Sequence, residues 1–124
     1  MAKFAPSVNK LKDQVFLVLA YDAEGKNNVR NIFLDEHLEF IEKNYNQYLS
    51  CGPLRLPGEQ DIIGSFFIVT SEDEGKLNSF LQKDPYIAND LYGKMRILSA
   101  TPAAGSWMGG VIWNDAEDIR PNAT

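Results

Sequence analysis

Two kinds of hydrophobic spacing follow one another along the chain and predict its strands and helices. Residues 13–21 are apolar at nearly every position, which is typical of a strand buried on both faces. From Val29 to Leu49, apolar residues recur every three or four positions, which predicts an amphipathic helix of about five turns. The spacing then returns to that of strands over residues 49–56 and 62–70, and the short turn between them predicts a hairpin.

Capping residues and a proline set the expected limits of these elements. Asn28 is predicted as the N-cap of the first helix, and Ser71 begins a capping box for a second helix over residues 71–83. Pro53 has no amide proton for a sheet ladder, so its strand is predicted at a sheet edge or with a bulge. A last strand is predicted over residues 92–101.

The order of the elements predicts an α+β fold. The order β-α-β-β-α-β is that of a ferredoxin-like domain, with a four-stranded antiparallel sheet and both helices on one face. Because the first and third strands are apolar on both faces, the face without helices also needs a cover. We expect a second copy to supply it by sheet-to-sheet packing about a two-fold axis, as in a dimeric α/β barrel. The sequence therefore predicts a homodimer.

The end of the chain does not fit this repeat. Residues 1–101 are predicted as the ferredoxin-like domain, and residues 102–124 as a C-terminal extension. In the extension, residues 106–113 are apolar and are expected to form an extra strand or to clasp the partner subunit. The acidic stretch from Asn114 onward is expected to be frayed.

Composition narrows the range of partners. The 124 residues carry a formal net charge of −5, which argues against binding to a phosphate backbone. No apolar run approaches the ~20 residues of a membrane span, and no signal peptide is recognised, so a soluble cytoplasmic protein is expected. Cys51 is the single cysteine, which excludes an internal disulfide and a multi-cysteine metal site. The carboxylates Asp35, Glu39 and Glu42 are interpreted as a solvated helix face, and no metal site is predicted.

His37 and Asp84 are the residues with catalytic potential. His37, the only histidine, lies on or beside the apolar stripe of the first helix, which is typical of a hydrogen-bonded core residue or of an oriented base. Asp84 before Pro85 is predicted as the N-cap of a short helix. A capping carboxylate keeps further acceptor sites, so it can also hold the Nδ1 proton of an imidazole and leave Nε2 as a base.

Four short segments, Glu36–Phe40, Ser50–Pro53, Ile63–Val69 and Lys83–Tyr86, follow one another between about Phe16 and Ala100. In this order and spacing they resemble the YCII-related (YciI-like) proteins. The resemblance implies a dimeric ferredoxin-like fold and a proposed catalytic histidine–aspartate pair, which maps onto His37 and Asp84. Some relatives are lyases that remove hydrogen halide from hydroxylated aromatic compounds, whereas many have no assigned activity. The extension after Pro102 departs from the family pattern. Family positions near the pair match Gly52, Pro53, Gly64 and Ser65.

The leading hypothesis is a small cofactor-independent lyase or isomerase. His37, oriented by Asp84, would abstract a proton from a hydroxylated or keto small molecule, which is chemistry that needs no metal or organic cofactor. The alternative is a non-catalytic dimer that binds a small ligand or accompanies a larger enzyme, and a third possibility is an assembly part with a vestigial pocket. The sequence alone does not distinguish the enzyme from the binding protein, because fold and family together do not determine function. Ser65, Tyr21 and Tyr86 are candidate donors to an oxyanion, and Arg55 either attracts an anionic substrate or is a solvated edge-strand arginine.

Overall fold

Four antiparallel strands form the sheet that organises residues 13–100. In the computed structural model, which describes residues 4–120, the strands lie in the order β2-β3-β1-β4. The two central strands, β1 and β3, are those whose sequences are apolar on both faces. The predicted ferredoxin-like fold is confirmed. The strands are β1 (Gln14–Asp22), β2 (Tyr48–Leu54), β3 (Gly64–Ser71) and β4 (Tyr92–Ala100).

The predicted edge position of the proline-containing strand is also confirmed. β2 pairs only with β3, and its register shifts between Tyr48 and Ser50. Pro53 therefore lies on an outer strand, where its missing amide proton breaks no ladder on the open side.

The region predicted as one long helix is divided. Helix α1 (Asn27–Ile32) is followed at once by α2 (Leu34–Lys43), and a 3₁₀ turn spans Tyr45–Gln47. Phe33 separates α1 from α2 with φ −104° and ψ 12°, outside the usual helical angles. The apolar spacing continues through Phe33, and therefore the pattern did not reveal the break. The predicted cap at Asn28 is also wrong, because α1 already begins one residue earlier.

The second half of the chain has two helices, α3 (Glu74–Leu81) and α4 (Pro85–Ala88). The predicted cap at Ser71 is wrong, because Ser71 is still part of β3 and its hydroxyl donates to the Asp73 carbonyl. Asp73 is the N-cap instead, and its side chain accepts from the Lys76 amide at 2.7 Å. The predicted cap of α4 by Asp84 is confirmed.

The core lies between the helices and one face of the sheet. Alternate residues of β1 and β3 point to this face and pack with the apolar side chains of α3. The intervening residues of the same strands point to the other face, where Leu17, Leu19, Phe66 and Ile68 are partly exposed and Val15 is buried. Thus both predicted apolar faces exist, and the helices cover one of them. The buried core includes Phe16, Val18, Ala20, Phe67, Val69, Leu77 and Leu81.

The described residues outside the sheet unit, 4–12 and 101–120, form a second unit. Here β5 (Ala104–Gly105) pairs with β6 (Gly110–Val111), and Ser7 forms a parallel bridge to Val111. The first twelve residues thus group with the extension rather than with residues 13–100, unlike the predicted boundaries. A capped 3₁₀ helix spans Ala116–Ile119, within the stretch from Asn114 onward. The rest of that stretch, 121–124, lies outside the described residues. None of the described helices has the length and hydropathy that a membrane span requires.

Candidate active site

The helix that carries His37 meets the start of the short helix capped by Asp84. The Nδ1 atom of His37 lies 2.7 Å from Oδ1 of Asp84, although the residues are 47 positions apart in the chain. The His37 side chain is 12% exposed and that of Asp84 only 1%. A hydrogen bond between such buried side chains is electrostatically stronger than one in water, because the local dielectric constant is lower.

The same oxygen of Asp84 also caps α4. Oδ1 accepts from the backbone amide of Tyr86 at 2.9 Å, and Pro85 occupies the first helical position. The other oxygen, Oδ2, is buried without a hydrogen-bond partner in the described part of the chain. Because a carboxylate only accepts, Nδ1 of His37 is the donor in this pair, and Nε2 is the ring nitrogen that remains available.

The ring of Tyr86 holds the imidazole from one side. The two rings are stacked, with 3.9 Å between centroids and 12° between planes. The Tyr86 hydroxyl in turn donates to the backbone carbonyl of Arg30 at 3.1 Å. Burial raises the pKa of Tyr86, so this hydroxyl keeps its proton. The His37 ring is therefore held by the stacked Tyr86 ring on one face and by Asp84 at Nδ1.

Arg30 of α1 is the centre of a second cluster of hydrogen-bonded side chains. Its Nε and Nη2 atoms donate to the two oxygens of Asp22 at 2.6 and 2.9 Å. Nη2 also donates to Ser65 Oγ at 3.0 Å, and the Tyr92 hydroxyl donates to the same Ser65 oxygen at 2.7 Å. Burial opposes the charge of Arg30, but the hydrogen bonds and charge of Asp22 raise its pKa above the ordinary value. The guanidinium is thus charged and fixed in orientation.

His37 and the Arg30–Ser65 pair border the same cavity, which has a volume of about 470 Å³. Its wall is mostly apolar, with His37, Arg30 and Ser65 as polar points. Cys51 also borders it, but burial and the charge of Asp84 raise the thiol pKa, which disfavours a thiolate nucleophile. Within residues 4–120, no three His, Cys, Asp or Glu side chains come together as metal ligands. The remaining lining residues are Asn31, Leu34, Leu38, Ile41, Gly52, Pro53, Ile62, Phe67 and Tyr86.

The predicted site residues divide into two sets. Ser65, Gly52, Pro53 and Tyr86 line the cavity together with His37, and Asp84 lies behind the imidazole. Three other candidates, Tyr21, Arg55 and Gly64, are not among the lining residues.

Each of these three has a physical reason to lie elsewhere. Tyr21 alternates with the core residues of β1, so its side chain points to the face without helices. Arg55 follows the end of β2, is exposed, and donates to the Gln60 carbonyl at 3.0 Å. A Cβ at Gly64 would overlap the carbonyl of Ala20, so this glycine permits close approach of two strands.

Sequence reasoning missed Arg30, Asp22 and Tyr92. One signal for Asp22 was present, because it continues the alternation of Phe16, Val18 and Ala20 toward the helix face. The sequence around Arg30 did not indicate a functional role, because a polar residue is expected on the exposed side of an amphipathic helix.

Comparison with known proteins supports the resemblance. The model of the YCII-related domain matches residues 15–101. A similar solved structure is 5-chloro-2-hydroxyhydroquinone dehydrochlorinase (TftG) from Burkholderia phenoliruptrix AC1100, in complex with 2,5-dihydroxybenzoquinone. The match has 25% sequence identity and a TM-score of 0.66, and it covers 74% of this chain and 96% of that one. No curated protein sequence matches the chain. Since the domain model spans more than half of its residues, the chain belongs to the family of YCII-related proteins.

Proposed function

We propose that this protein is a small enzyme of the lyase or isomerase type, in which His37 removes a proton from a hydroxylated or keto compound. The observation that carries the proposal is the 2.7 Å hydrogen bond from His37 Nδ1 to Asp84 on the wall of a cavity. A histidine whose Nδ1 proton is held by a carboxylate is oriented for base chemistry at Nε2.

The proposed step moves one proton and one electron pair. Nε2 accepts a proton from an acidic O–H or C–H bond of the substrate, whose electrons remain on the substrate as a phenolate or enolate. Asp84 stabilises the imidazolium that forms. The electron pair then takes up a proton at a ring or chain carbon, which is isomerisation. Where that carbon carries a halide, loss of a second O–H proton forms the C=O bond and expels the halide as an anion, which is elimination. Neither route needs a metal or an organic cofactor.

The similar solved structure favours elimination from a hydroxylated ring. That protein is a dehydrochlorinase, and a dihydroxybenzoquinone is bound to it. In the present chain, the apolar lining residues Leu34, Leu38 and Ile41 suit the faces of a flat ring, and Ser65 suits its oxygens. We therefore propose halogenated hydroxyhydroquinones as the first substrates to test.

Chloride release from 5-chloro-2-hydroxyhydroquinone tests the proposal. We expect turnover by the full chain, and a loss of about 10²–10⁴-fold in His37→Gln with its fold retained. Glu36→Gln, an exposed neighbour on the same helix, is the matched control and should keep wild-type turnover. If the chain binds 2,5-dihydroxybenzoquinone but releases no chloride, the non-catalytic binding protein is the better description.

We further propose that a second copy covers the face of the sheet without helices. On β1 and β3 this face presents Leu17, Leu19, Phe66 and Ile68, all partly exposed, and Leu98 of β4 is 39% exposed. Light scattering should give twice the chain mass, and Leu98→Glu should shift the protein toward the monomer. A wild-type mass of one chain at every concentration would contradict this arrangement.

A further inference from the structure

Arg30 has hydrogen-bond donors that no described residue uses. A guanidinium carries five N–H groups. Nε and one N–H of Nη2 donate to Asp22, and the other N–H of Nη2 donates to Ser65. Both N–H groups of Nη1 are then left without an acceptor among residues 4–120, in a side chain that borders the cavity.

Ser65 has an unused donor for a related reason. Its Oγ accepts from Arg30 at 3.0 Å and from the Tyr92 hydroxyl at 2.7 Å, which occupies both lone pairs. Burial raises the pKa of Tyr92, so the phenol keeps the proton that it donates. The hydroxyl proton of Ser65 must therefore point to another acceptor, and the residue is 4% exposed and borders the cavity.

We propose that Arg30 and Ser65 form an anion subsite that binds an ionised oxygen of the substrate. The inference rests on the proposed function in placing substrate in this cavity, and it names the substrate class: flat rings that carry a phenolate, enolate or carboxylate oxygen. Charge-assisted hydrogen bonds to such an oxygen are about twice as strong as neutral ones.

The placement of the subsite suits the proposed reaction. The Arg30 Cζ atom lies 5.3 Å from the Tyr86 ring centroid, and the His37 ring lies 3.9 Å from the same centroid. Both residues also border the same cavity, so one ring bound there can place an anionic oxygen at Arg30 and the reacting proton at His37. The donors would also stabilise negative charge that develops on that oxygen when the proton leaves.

The negative net charge of the protein means that an anionic substrate must be attracted by groups inside the cavity. With a net charge of −5, the chain as a whole repels an anionic substrate. Asp22 further compensates the charge of Arg30. The attraction must then come from directed N–H and O–H donors inside a partly desolvated cavity, where each is stronger than at the surface.

Binding of 4-nitrophenol tests the inference without any turnover. Its phenolate is yellow and its neutral form is not, so absorbance during titration reports which form the protein holds. Loss of charge-assisted hydrogen bonds in Arg30→Gln should weaken phenolate binding by about 10–100-fold, with little effect on the neutral phenol. Arg55→Gln removes an exposed arginine outside the cavity and should bind as wild type does.

Two further variants keep the test decisive. Arg30→Gln leaves Asp22 without its partner and can fail to fold, so Arg30→Gln with Asp22→Asn removes both charges together. It should also lose the selection for phenolate. In His37→Gln the selection should persist, although turnover is lost.

Three outcomes overturn the subsite. These are no selection for phenolate by the wild type, unchanged selection in the double variant, or selection that disappears only in His37→Gln. The last would mean that the anion pairs with the imidazolium. Phenolate selection without chloride release from any substrate would instead leave the subsite standing and contradict the proposed enzymatic function.

Discussion

Asp84 has two separable roles, and three substitutions distinguish them. Its Oδ1 accepts the amide of Tyr86, which caps α4, and the Nδ1 proton of His37. Asp84→Asn can keep an acceptor for both donors but removes the charge. Asp84→Ser keeps a capping oxygen on a side chain too short to reach the imidazole, and Asp84→Ala removes both hydrogen bonds.

The cap is measured by the difference in stability between the serine and alanine variants. Loss of an N-cap costs about 1 kcal/mol. For a domain of this size, that is a decrease of about 3–6 °C in Tm. We therefore expect Asp84→Ser to melt about 3–6 °C above Asp84→Ala in thermal denaturation followed by circular dichroism. Equal melting temperatures would refute the capping role.

Activity should follow a different order. Without the carboxylate, the ring of His37 is no longer oriented and its positive charge is no longer stabilised. Asp84→Ser and Asp84→Ala should both lose about 10²–10⁴-fold in kcat/KM for chloride release, or about 3–5 kcal/mol of transition-state stabilisation. Asp84→Asn should lie between these variants and the wild type. Wild-type turnover in Asp84→Ser would show that Asp84 is only a helix cap.

Three other predictions concern residues around the site. Burial and the charge of Asp84 raise the pKa of the Cys51 thiol. Iodoacetamide at about pH 8 should therefore alkylate Cys51 more slowly than it alkylates a free thiol, and the rate should increase in Asp84→Asn. Equal alkylation rates in the wild type and Asp84→Asn would contradict this prediction. Burial raises the pKa of Tyr48, so the unfolded chain ionises first and the free energy of unfolding should fall above about pH 10. Because the Tyr48 hydroxyl is buried without a partner among residues 4–120, Tyr48→Phe should change stability in urea by less than about 1 kcal/mol at neutral pH and reduce the alkaline loss. A Cβ at Gly64 would overlap the backbone of β1, whereas one at Gly52 would meet a phenylalanine ring at 3.3 Å; Gly64→Ala should therefore cost more than about 2 kcal/mol and Gly52→Ala less than about 1 kcal/mol.

The fold was predictable because its signals are local. Short runs that are apolar on both faces identified the central strands, and Asp84 before Pro85 identified the start of α4. The break at Phe33 was not predictable, because apolar spacing records which side is buried and does not record a change in backbone angle. The grouping of Ser7 with Val111 depends on a contact over 104 positions, for which the sequence carries no pattern.

The site was predictable only in part for the same reason. His37 and Asp84 were paired through the family resemblance, since nothing local relates two residues so far apart in the chain. Arg55 was a candidate because it lies beside the Gly-Pro bend, but it follows the end of β2 and does not line the cavity. The ion pair of Arg30 with Asp22 joins the end of a strand to the next helix, and only the fold brings these charges together.

The measurement that tests the central claim most directly is the ¹⁵N NMR spectrum of the single imidazole. It is recorded at a pH where the ring is neutral, for the wild type and for Asp84→Ser. We predict that in the wild type Nδ1 of His37 carries the proton and Nε2 has the shift of an unprotonated nitrogen. In Asp84→Ser the ring should return to the Nε2–H form that imidazoles favour in water. A wild-type spectrum with the proton on Nε2 would contradict the account, because the nitrogen proposed as the base would have no lone pair to accept a proton.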